Sequence, residues 1–206
     1  MKDLVIIGAG GHGRETLEIV RSSCCGQLIG FLDDNPSLHG SVLLDLPVLG
    51  ARSWLERNPG VEALIAIGVP SVISELAAFL SDRKIPSPRA ISPHAVVSSE
   101  ARLGRGCILF PHAFVSTAVT LGEHVTVNVG ASVGHDTVVG DCSMINPGAR
   151  LAGEVQIGPR TMIGMGAQII EGVRIGADCV VGAGAVVLKD VPNGTSVAGV
   201  PARAIH

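Results

Sequence analysis

The 206-residue sequence is poor in aromatic side chains, which make up 2% of it and include no tyrosine. Proteins that bind single-stranded nucleic acid stack the bases on aromatic rings, so this composition argues against that function. The formal net charge is −3, and the chain has no run of basic residues. Electrostatics therefore give no reason to expect a nucleic acid or an anionic membrane surface as a partner.

Long hydrophobic runs are also missing. No segment is apolar over the roughly 18 residues that a membrane-spanning helix needs. The apolar run Leu4–Ile7 is too short for the core of a signal peptide. The five cysteines have neither metal-ligand nor redox spacing, and no metal dependence is expected. Free thiols without an export signal predict a cytoplasmic protein.

The sequence does have an aliphatic residue at every sixth position from Ile91 to Val187, in one unbroken phase. Four residues after each of these lies a second series, from Ala95 to Ala185, whose members are all small or β-branched. A helix needs apolar residues every three or four positions and a strand every second, so a strict six fits neither. It is typical of short strands joined by corners around a narrow shared interior. The length of the series argues against the alternative, a β-sandwich with coincidental spacing, and predicts a parallel β-helix.

The first ninety residues show a different pattern, in which predicted strands alternate with predicted helices. The predicted strands are Leu4–Ile7, Leu28–Leu32 and Ala63–Ile67, and the predicted helices are Arg14–Arg21, Ser53–Arg57 and Val72–Leu80. Ser53 is expected to cap the second of these helices. This alternation is typical of an α/β domain with a parallel sheet. We therefore predict a Rossmann-like α/β domain over residues 1–88, followed by an all-β parallel β-helix over residues 89–206.

The first predicted strand ends in a glycine-rich turn, Gly8-Ala-Gly-Gly-His-Gly13, before a helix. Backbone N–H groups at such a helix N-terminus favour a bound phosphate. Asp33 lies twenty residues further on, where a dinucleotide-binding domain places its ribose-binding acid. An NAD-dependent oxidoreductase is one alternative, but ninety residues supply only half of a doubly wound domain, and hydride transfer needs no β-helix. The other readings are nucleotide-diphosphate binding, which we favour, and a tight turn without a ligand.

Several motifs follow one another in a specific order. Val5-Ile-Ile-Gly-Ala-Gly-Gly-His-Gly-Arg14 comes first, then Gly30-Phe-Leu-Asp-Asp-Asn35, then hexapeptides such as Val139-Gly-Asp-Cys-Ser-Met144. Over essentially the whole chain this order resembles the bacterial hexapeptide-repeat acetyltransferases of the sialic-acid O-acetyltransferase type, which include enzymes that N-acetylate nucleotide-linked amino-sugars. The resemblance implies a left-handed β-helix with three hexapeptides per coil. It also implies a homotrimer with active sites between neighbouring prisms, and acetyl-CoA as co-substrate.

The same resemblance implies that the N-terminal domain holds the nucleotide of the sugar donor. The glycine-rich turn would then contact the diphosphate, and the acidic turn after the second strand would lie near the base and the ribose. The implied substrate-binding residues are Gly10, Gly11, His12, Gly13, Asp33, Asp34 and Asn35.

Among the seven histidines, His135 differs because Asp136 follows it directly. Imidazole suits the removal of a proton from an attacking amine because its unperturbed pKa is about 6.5, and a neighbouring carboxylate fixes its tautomer. The resemblance implies that His135 is the general base, that Asp136 raises its basicity and that Asn128 helps to position the site. The alternative is a structural histidine at a corner of the coil. The other histidines of the repeat are expected to be solvated or interfacial: His94, His112 and His124.

The resemblance also implies that acetyl-CoA lies along a groove between two prisms. The implied contact positions are Met144, Gly153, Met165 and Ala183, with Lys189 and Arg203 near the CoA phosphates. The amino-sugar members often carry a second histidine nine residues after the base, and this sequence has Met144 at that position. A thioether donates no hydrogen bond, so Met144 cannot make the contact that this histidine would make. For Lys189 and Arg203 the alternative is that they are ordinary solvated charges of the C-terminal tail.

The sequence therefore predicts an acetyl-CoA-dependent N-acetyltransferase of a nucleotide-linked amino-sugar, in particular a 4-amino-4,6-dideoxyhexose. No cysteine is placed as an acyl-carrying nucleophile, which favours direct transfer. The alternatives are O-acetylation of a sialic-acid-like sugar and a non-catalytic, nucleotide-binding trimeric scaffold. The nucleotide base and the stereochemistry of the sugar stay open.

Overall fold

The computed structural model describes residues 2–23 and 25–205, which divide into two compact units, one up to Ser92 and one from Pro93. The strands of the first unit are β1 (Asp3–Ile7), β2 (Gln27–Leu32), β3 (Val42–Leu43), β4 (Leu46–Gly50), β5 (Glu62–Ile65) and β6 (Ala90–Ile91). Its helices are α1 (Gly11–Ser23) and α2 (Pro70–Asp82), together with two 3-10 helices, Pro36–Leu38 and Arg52–Arg57. None of the helices in the described part of the chain is long and apolar enough to cross a membrane.

The first unit is built on a sheet in the order β3-β4-β2-β1-β5. Strand β1 lies between β2 and β5 and is parallel to both, β2 is parallel to β4, and β3 and β4 form an antiparallel hairpin. Because β1 is central, its residues from Leu4 to Ile7 are buried, which explains why they form a continuous apolar run. The predicted alternation of strands and helices is confirmed.

The boundaries of the helices differ from those predicted. Helix α1 begins at Gly11, inside the glycine-rich turn, and α2 begins at Pro70, because proline is favourable at a first helical position. The prediction that Ser53 caps the short helix is wrong. That helix begins at Arg52 after Ala51 and has no side-chain cap. The backbone N–H of Arg52 instead donates to the carboxylate of Asp34 at 3.0 Å.

The strands of the second unit are all very short, and turns connect them. They are β7 (Val96–Val97), β8 (Arg102–Leu103), β9 (Ile108–Leu109), β10 (Phe114–Val115), β11 (Thr120–Leu121), β12 (Thr126–Val127), β13 (Ser132–Val133), β14 (Val138–Val139), β15 (Met144–Ile145), β16 (Arg150–Leu151), β17 (Gln156–Ile157), β18 (Met162–Ile163), β19 (Gln168–Ile169), β20 (Arg174–Ile175), β21 (Val180–Val181), β22 (Val186–Val187), β23 (Ser196–Ala198) and β24 (Arg203–Ala204).

These strands form three faces. Face 1 is the sheet β7-β10-β13-β16-β19-β22, face 2 is β8-β11-β14-β17-β20, and face 3 runs from β9 through β12, β15, β18 and β21 to β23 and β24. From β7 to β22 the strands of each face pair in parallel with the strand one coil on, as Phe114 does with Ser132 and Thr120 with Val138. At the end of face 3, β23 and β24 pair antiparallel. The aliphatic series is buried from Leu109 to Val187 and fills the interior. The predicted parallel β-helix is confirmed.

The corner that leads from face 1 to face 2 (corner 1–2) has a repeated backbone conformation. Ala118, Asp136 and Glu154, each one coil apart, have φ values of 55°, 57° and 58°. Left-handed φ is uncommon for residues with a side chain. Here the β-helix imposes it at every sixth residue from Gly106 to Gly184. Asp136 therefore adopts it at the corner, directly after the exposed His135.

Candidate active site

The side chains of His135 and Asp136 are joined at corner 1–2. Nδ1 of His135 lies 2.9 Å from Oδ2 of Asp136. An ionised carboxylate only accepts hydrogen bonds, so Nδ1 carries the proton and donates it to Asp136. Nε2 then keeps its lone pair. Since about half of each side chain is exposed, this lone pair is available to a substrate proton.

The surroundings of His135 favour its charged form. Its pKa is raised above the ordinary value, chiefly by the hydrogen bond to Asp136 and further by the negative charges of Asp136, Glu171 and Glu154. We had not predicted the two glutamates, although the repeat contains the signal. Glu154 lies one coil after Asp136, and Glu171 lies two coils after His135.

Gly153 lies directly beside the imidazole of His135. A Cβ built on Gly153 would overlap the ring and would stand 2.9 Å from Nδ1. The backbone N–H of Glu154 donates to the carbonyl oxygen of His135 at 2.8 Å. Of the residues predicted to contact acetyl-CoA, Gly153 is therefore the one that the structure places next to the predicted base.

Other predicted residues lie at the corner from face 3 to face 1 (corner 3–1). Asn128 follows β12 there, is almost fully buried, and accepts a hydrogen bond from the backbone of Val129 at 2.7 Å. Met165 and Ala183, on later coils of the same corner, are exposed. Face 1 separates this corner from His135, so a single coil does not bring Asn128 and His135 together.

The remaining acetyl-CoA positions differ in exposure. Met144 belongs to β15 on face 3 and is buried, with 3% of its surface exposed. Lys189 and Arg203 are exposed, and the guanidinium of Arg203 donates to the carbonyl oxygen of Ala202 at 2.8 Å. The charged groups of Lys189 and Arg203 are therefore accessible to an anion, whereas the side chain of Met144 is not accessible on the surface of this chain.

In the first unit, the four residues of the glycine-rich turn that were predicted to bind substrate have different surroundings. A Cβ at Gly13 would overlap the carbonyl oxygen of Gly8, so the close packing of α1 requires glycine there. A Cβ at Gly10 or Gly11 would meet nothing within 4 Å, and neither residue has a left-handed φ. The chain's own packing therefore gives no reason for glycine at these two positions.

His12 lies in the first turn of α1. Its pKa is lowered from the ordinary value, mainly by burial, while the charge of Glu15 opposes the shift. At neutral pH the ring is therefore uncharged. It can offer a diphosphate a hydrogen bond but not a positive charge, and the first N–H groups of the helix are the stronger attraction for an anion.

The acidic turn after β2 is held by its own side chains. Asp33 accepts hydrogen bonds from the backbone N–H of Ala9 and of Asn35, each at 2.9 Å. Asn35 in turn accepts from the backbone N–H and the hydroxyl of Ser37, at 3.1 and 2.8 Å. Asp33 therefore links this turn to the glycine-rich turn and fixes both loops.

A cavity of about 200 Å³ opens next to these loops and is lined by Gly8, Asp33, Asp34, Arg52 and Glu75, among others. The guanidinium of Arg52 pairs with Asp34 at 3.3 Å and with Glu75 at 2.6 Å. We had not predicted Arg52 or Glu75. They come from separate segments, and no motif or period in the sequence connects them.

His124 is expected to be solvated or interfacial, and the structure excludes the first alternative, because only 3% of its surface is exposed within this chain. Within the described residues, neither ring nitrogen has a hydrogen-bond partner. Burial is the main cause of its lowered pKa, and the charge of Arg105 acts in the same direction. His94 and His112 are exposed as expected, with their rings stacked 6.3 Å apart. Across residues 2–23 and 25–205, no group of three or more His, Cys, Asp or Glu side chains is arranged to hold a metal ion.

Comparisons with known protein families match both units of the chain. The PglD N-terminal domain family matches residues 3–80, and the bacterial transferase hexapeptide (six repeats) matches residues 154–189. No curated protein matches the chain by sequence.

Several solved structures match the entire chain. A mutant of perosamine N-acetyltransferase from Caulobacter crescentus, in complex with CoA and GDP-perosamine, is 33% identical and superimposes with a TM-score of 0.94 over 100% of this chain and 98% of that one. The acetyltransferase domain of PglB from Neisseria gonorrhoeae FA1090 is 30% identical, with a TM-score of 0.93 and 100% of both chains covered. WeeI from Acinetobacter baumannii AYE is 31% identical, with a TM-score of 0.90 and 100% of both chains covered.

These relatives match the chain over both of its units. The identity exceeds 30% over almost the full length of the first of them. The chain therefore belongs to the family of left-handed β-helix, hexapeptide-repeat acetyltransferases that act on nucleotide-linked amino-sugars.

Proposed function

We propose that the protein transfers the acetyl group of acetyl-CoA to the amino group of a nucleotide-linked amino-sugar of the 4-amino-4,6-dideoxyhexose class. The observation that carries this proposal is the hydrogen bond of 2.9 Å between His135 and Asp136 at an exposed corner of the prism. The similarity to perosamine N-acetyltransferase, which binds CoA and GDP-perosamine, supports the choice of both substrates. An acetyl-coenzyme A complex of the PglB acetyltransferase domain supports the donor.

In the proposed mechanism His135 is the general base. The sugar nitrogen attacks the thioester carbonyl carbon, Nε2 of His135 takes the proton that the nitrogen loses, and the C–S bond breaks. The imidazolium of His135 then gives this proton to the CoA sulfur, which leaves as the thiol, and the neutral base is restored. Asp136 stabilises the imidazolium that forms in between, because it accepts the Nδ1–H bond throughout.

The charges around the base suit an amine as the nucleophile. At neutral pH the acceptor arrives as an ammonium ion, which releases one proton to solvent before its nitrogen attacks. The negative charges of Asp136, Glu154 and Glu171 all act on His135. Their field attracts a cation to the corner. A hydroxyl acceptor, as in O-acetylation, would gain nothing from that field.

We propose that the active enzyme is a homotrimer in which each site forms between two prisms. Support comes from the separation of the predicted residues over two corners. His135 and Gly153 lie at corner 1–2, whereas Asn128, Met165 and Ala183 lie at corner 3–1. A second copy that places its corner 3–1 against corner 1–2 would complete the site, and acetyl-CoA would lie along the groove between them, with Lys189 and Arg203 near its phosphates.

We further propose that the α/β unit binds the nucleotide of the sugar donor. Gly10, Gly11 and the N-terminus of α1 would contact the diphosphate, and the cavity lined by Asp34 and Glu75 would hold the base. We place the enzyme in the cytoplasm. The cysteines Cys25, Cys107, Cys142 and Cys179 are free thiols, which the reducing cytoplasm maintains.

The activity is tested by adding acetyl-CoA and a thiol-detecting reagent to the purified protein with a panel of GDP-, UDP- and dTDP-linked amino-sugars. We expect release of CoA thiol with at least one amino-sugar and none with the matching hydroxy-sugar. Release with hydroxy-sugars alone would show O-acetylation. No release with any acceptor, together with tight nucleotide binding, would show a non-catalytic scaffold.

The role of His135 is tested by the variant His135→Ala, which should lower kcat by about a hundredfold or more because a general base contributes roughly 10²–10⁴ in rate. His112→Ala is the matched control, since His112 is an exposed histidine of the same repeat and should leave kcat unchanged. Equal activity of the two variants would remove His135 from the proposed role.

A further inference from the structure

We propose that Gly153 is a positioning residue of this enzyme. The imidazole of His135 packs against the next coil in the space that a side chain at Gly153 would occupy. The proposal rests on the function of His135 proposed above, but the contact itself is independent of any substrate. The atoms that a Cβ at Gly153 would meet first all belong to the His135 ring.

The backbone does not require glycine at this position. Gly153 lies outside the left-handed region of φ. Its equivalents on the other coils, eighteen residues apart, carry side chains: Ser99, Thr117, His135 and Glu171. The corner therefore accepts an ordinary residue, and only the ring of His135 explains why a side chain has no room here.

The backbone around Gly153 is also held in place. The hydroxyl of Thr137 donates to the carbonyl oxygen of Ala152 at 3.1 Å, and the N–H of Glu154 donates to the carbonyl oxygen of His135 at 2.8 Å. The carbonyl oxygen of Gly153 itself accepts from Gly172 at 3.1 Å. A methyl group added at Gly153 could not move this backbone aside, so the half-exposed imidazole would have to swing outward.

An outward swing would separate Nδ1 from Asp136 and move Nε2 away from the acceptor nitrogen. Small displacements of a catalytic group from its working geometry are costly, and about 1 Å can lower a rate by 10²-fold. Gly153 therefore sets the orientation of the base without itself donating or accepting a proton.

The test is the variant Gly153→Ala, studied first without substrate by NMR titration of the His135 ring. We expect the pKa of His135 to fall toward the ordinary value of about 6.5 while the thermal midpoint stays within about 2 °C of the parent, since the ring can turn into solvent. In assays, kcat should fall by about tenfold or more while the KM for acetyl-CoA changes by less than about twofold.

The double variant His135→Ala/Gly153→Ala is the control, because without the ring the added methyl group has nothing to displace. We expect it to match His135→Ala in both kcat and thermal midpoint. An unchanged pKa of His135 in Gly153→Ala would overturn the proposal. So would a raised KM for acetyl-CoA with kcat intact, which would show that Gly153 makes room for the cofactor instead. If the protein proved not to be an acetyltransferase, the titration would still decide whether Gly153 positions the ring.

Discussion

Nδ1 of His135 lies 2.9 Å from Oδ2 of Asp136, although the two residues are adjacent in sequence. Successive side chains of a strand point to opposite sides, so this hydrogen bond could not form if His135 and Asp136 lay within a strand. Asp136 has a φ of 57°, which turns the chain at the corner and brings its carboxylate to the same side as the imidazole. The β-helix thus brings together an imidazole and a carboxylate from two consecutive residues, the pair that the proposed mechanism needs.

Replacing Asp136 by asparagine should therefore change how the activity depends on pH. The base must be unprotonated to act, so the rate rises as the pH rises through the pKa of His135. Asp136 raises that pKa. In Asp136→Asn we expect the midpoint of the kcat/KM profile to move to lower pH. The plateau rate should fall by about tenfold or more, because the imidazolium loses its partner.

The matched control for this variant is Glu154→Gln, which removes a nearby charge but no hydrogen bond to the ring. Its profile should move in the same direction by a smaller amount, with little loss at the plateau. Identical profiles for the parent and Asp136→Asn would contradict the assigned role of Asp136.

The glycine-rich turn offers a pair of variants that separates packing from ligand binding. Gly13→Ala should destabilise the α/β unit, because the new Cβ overlaps the carbonyl oxygen of Gly8. Gly11→Ala has free space around it and should keep or raise stability by about 0.4–1 kcal/mol, since alanine restricts the unfolded chain. It should nevertheless weaken binding of a nucleoside diphosphate, which isothermal titration calorimetry can measure. Normal binding by Gly11→Ala would place the phosphates elsewhere.

The β-helix could be predicted from the sequence because its interior is nearly one-dimensional. Every hexapeptide presents the same two inward positions, so positions such as Val133 and Thr137 recur every six residues, and they are buried from Cys107 to Val187. A regular three-dimensional environment leaves a regular pattern in the sequence. No comparable regularity exists in the α/β unit, where the predicted cap at Ser53 failed because Asp34, from a distant loop, bonds the helix start instead.

Parts of the site could be predicted for the same reason. The adjacency of His135 and Asp136 in the sequence indicated the pair. The six-residue period also places Glu154 and Glu171 at the same corner, on the two following coils. The period does not reveal that the imidazole of His135 fills the space beside Gly153, since this depends on the orientation of the His135 side chain. Nor does it tell how deeply a corner residue is buried, which differs from one corner to the next. His112 and His124 have equivalent left-handed backbones, yet His112 is exposed and His124 is buried.

The polar members of the inner series should contribute to stability through hydrogen bonds between coils. The buried hydroxyl of Thr161 donates to the carbonyl oxygen of Gly176 at 2.7 Å and accepts from the N–H of Cys179 at 3.1 Å. Thr161→Val leaves both backbone groups without that partner, and we expect a loss of about 1–3 kcal/mol in the free energy of unfolding. Valine fits the position sterically, since Val155 occupies the same phase one hexapeptide earlier. Urea unfolding of the two proteins gives the comparison, and a difference below about 0.5 kcal/mol would contradict it.

His124 should make the stability of the protein sensitive to acid. Its pKa in the folded state is lowered, chiefly by burial and also by Arg105, while Glu123 and Asp141 oppose the shift. The unfolded chain therefore binds a proton at a higher pH than the folded one does. Stability that is fully present above about pH 6.5 is lost as the pH falls toward the folded-state pKa, by up to about 1.4 kcal/mol per pH unit.

The variant His124→Asn removes this titration, and asparagine tolerates the left-handed φ of 54° at that corner. Between pH 7.5 and 5.5 we expect its free energy of unfolding in urea to fall less than that of the parent. His112→Asn changes the same residue type at an exposed corner with a φ of 61° and should keep the parent's pH dependence. If both variants lost stability as steeply as the parent, another group, such as the partly buried His12, would be the source of the acid sensitivity.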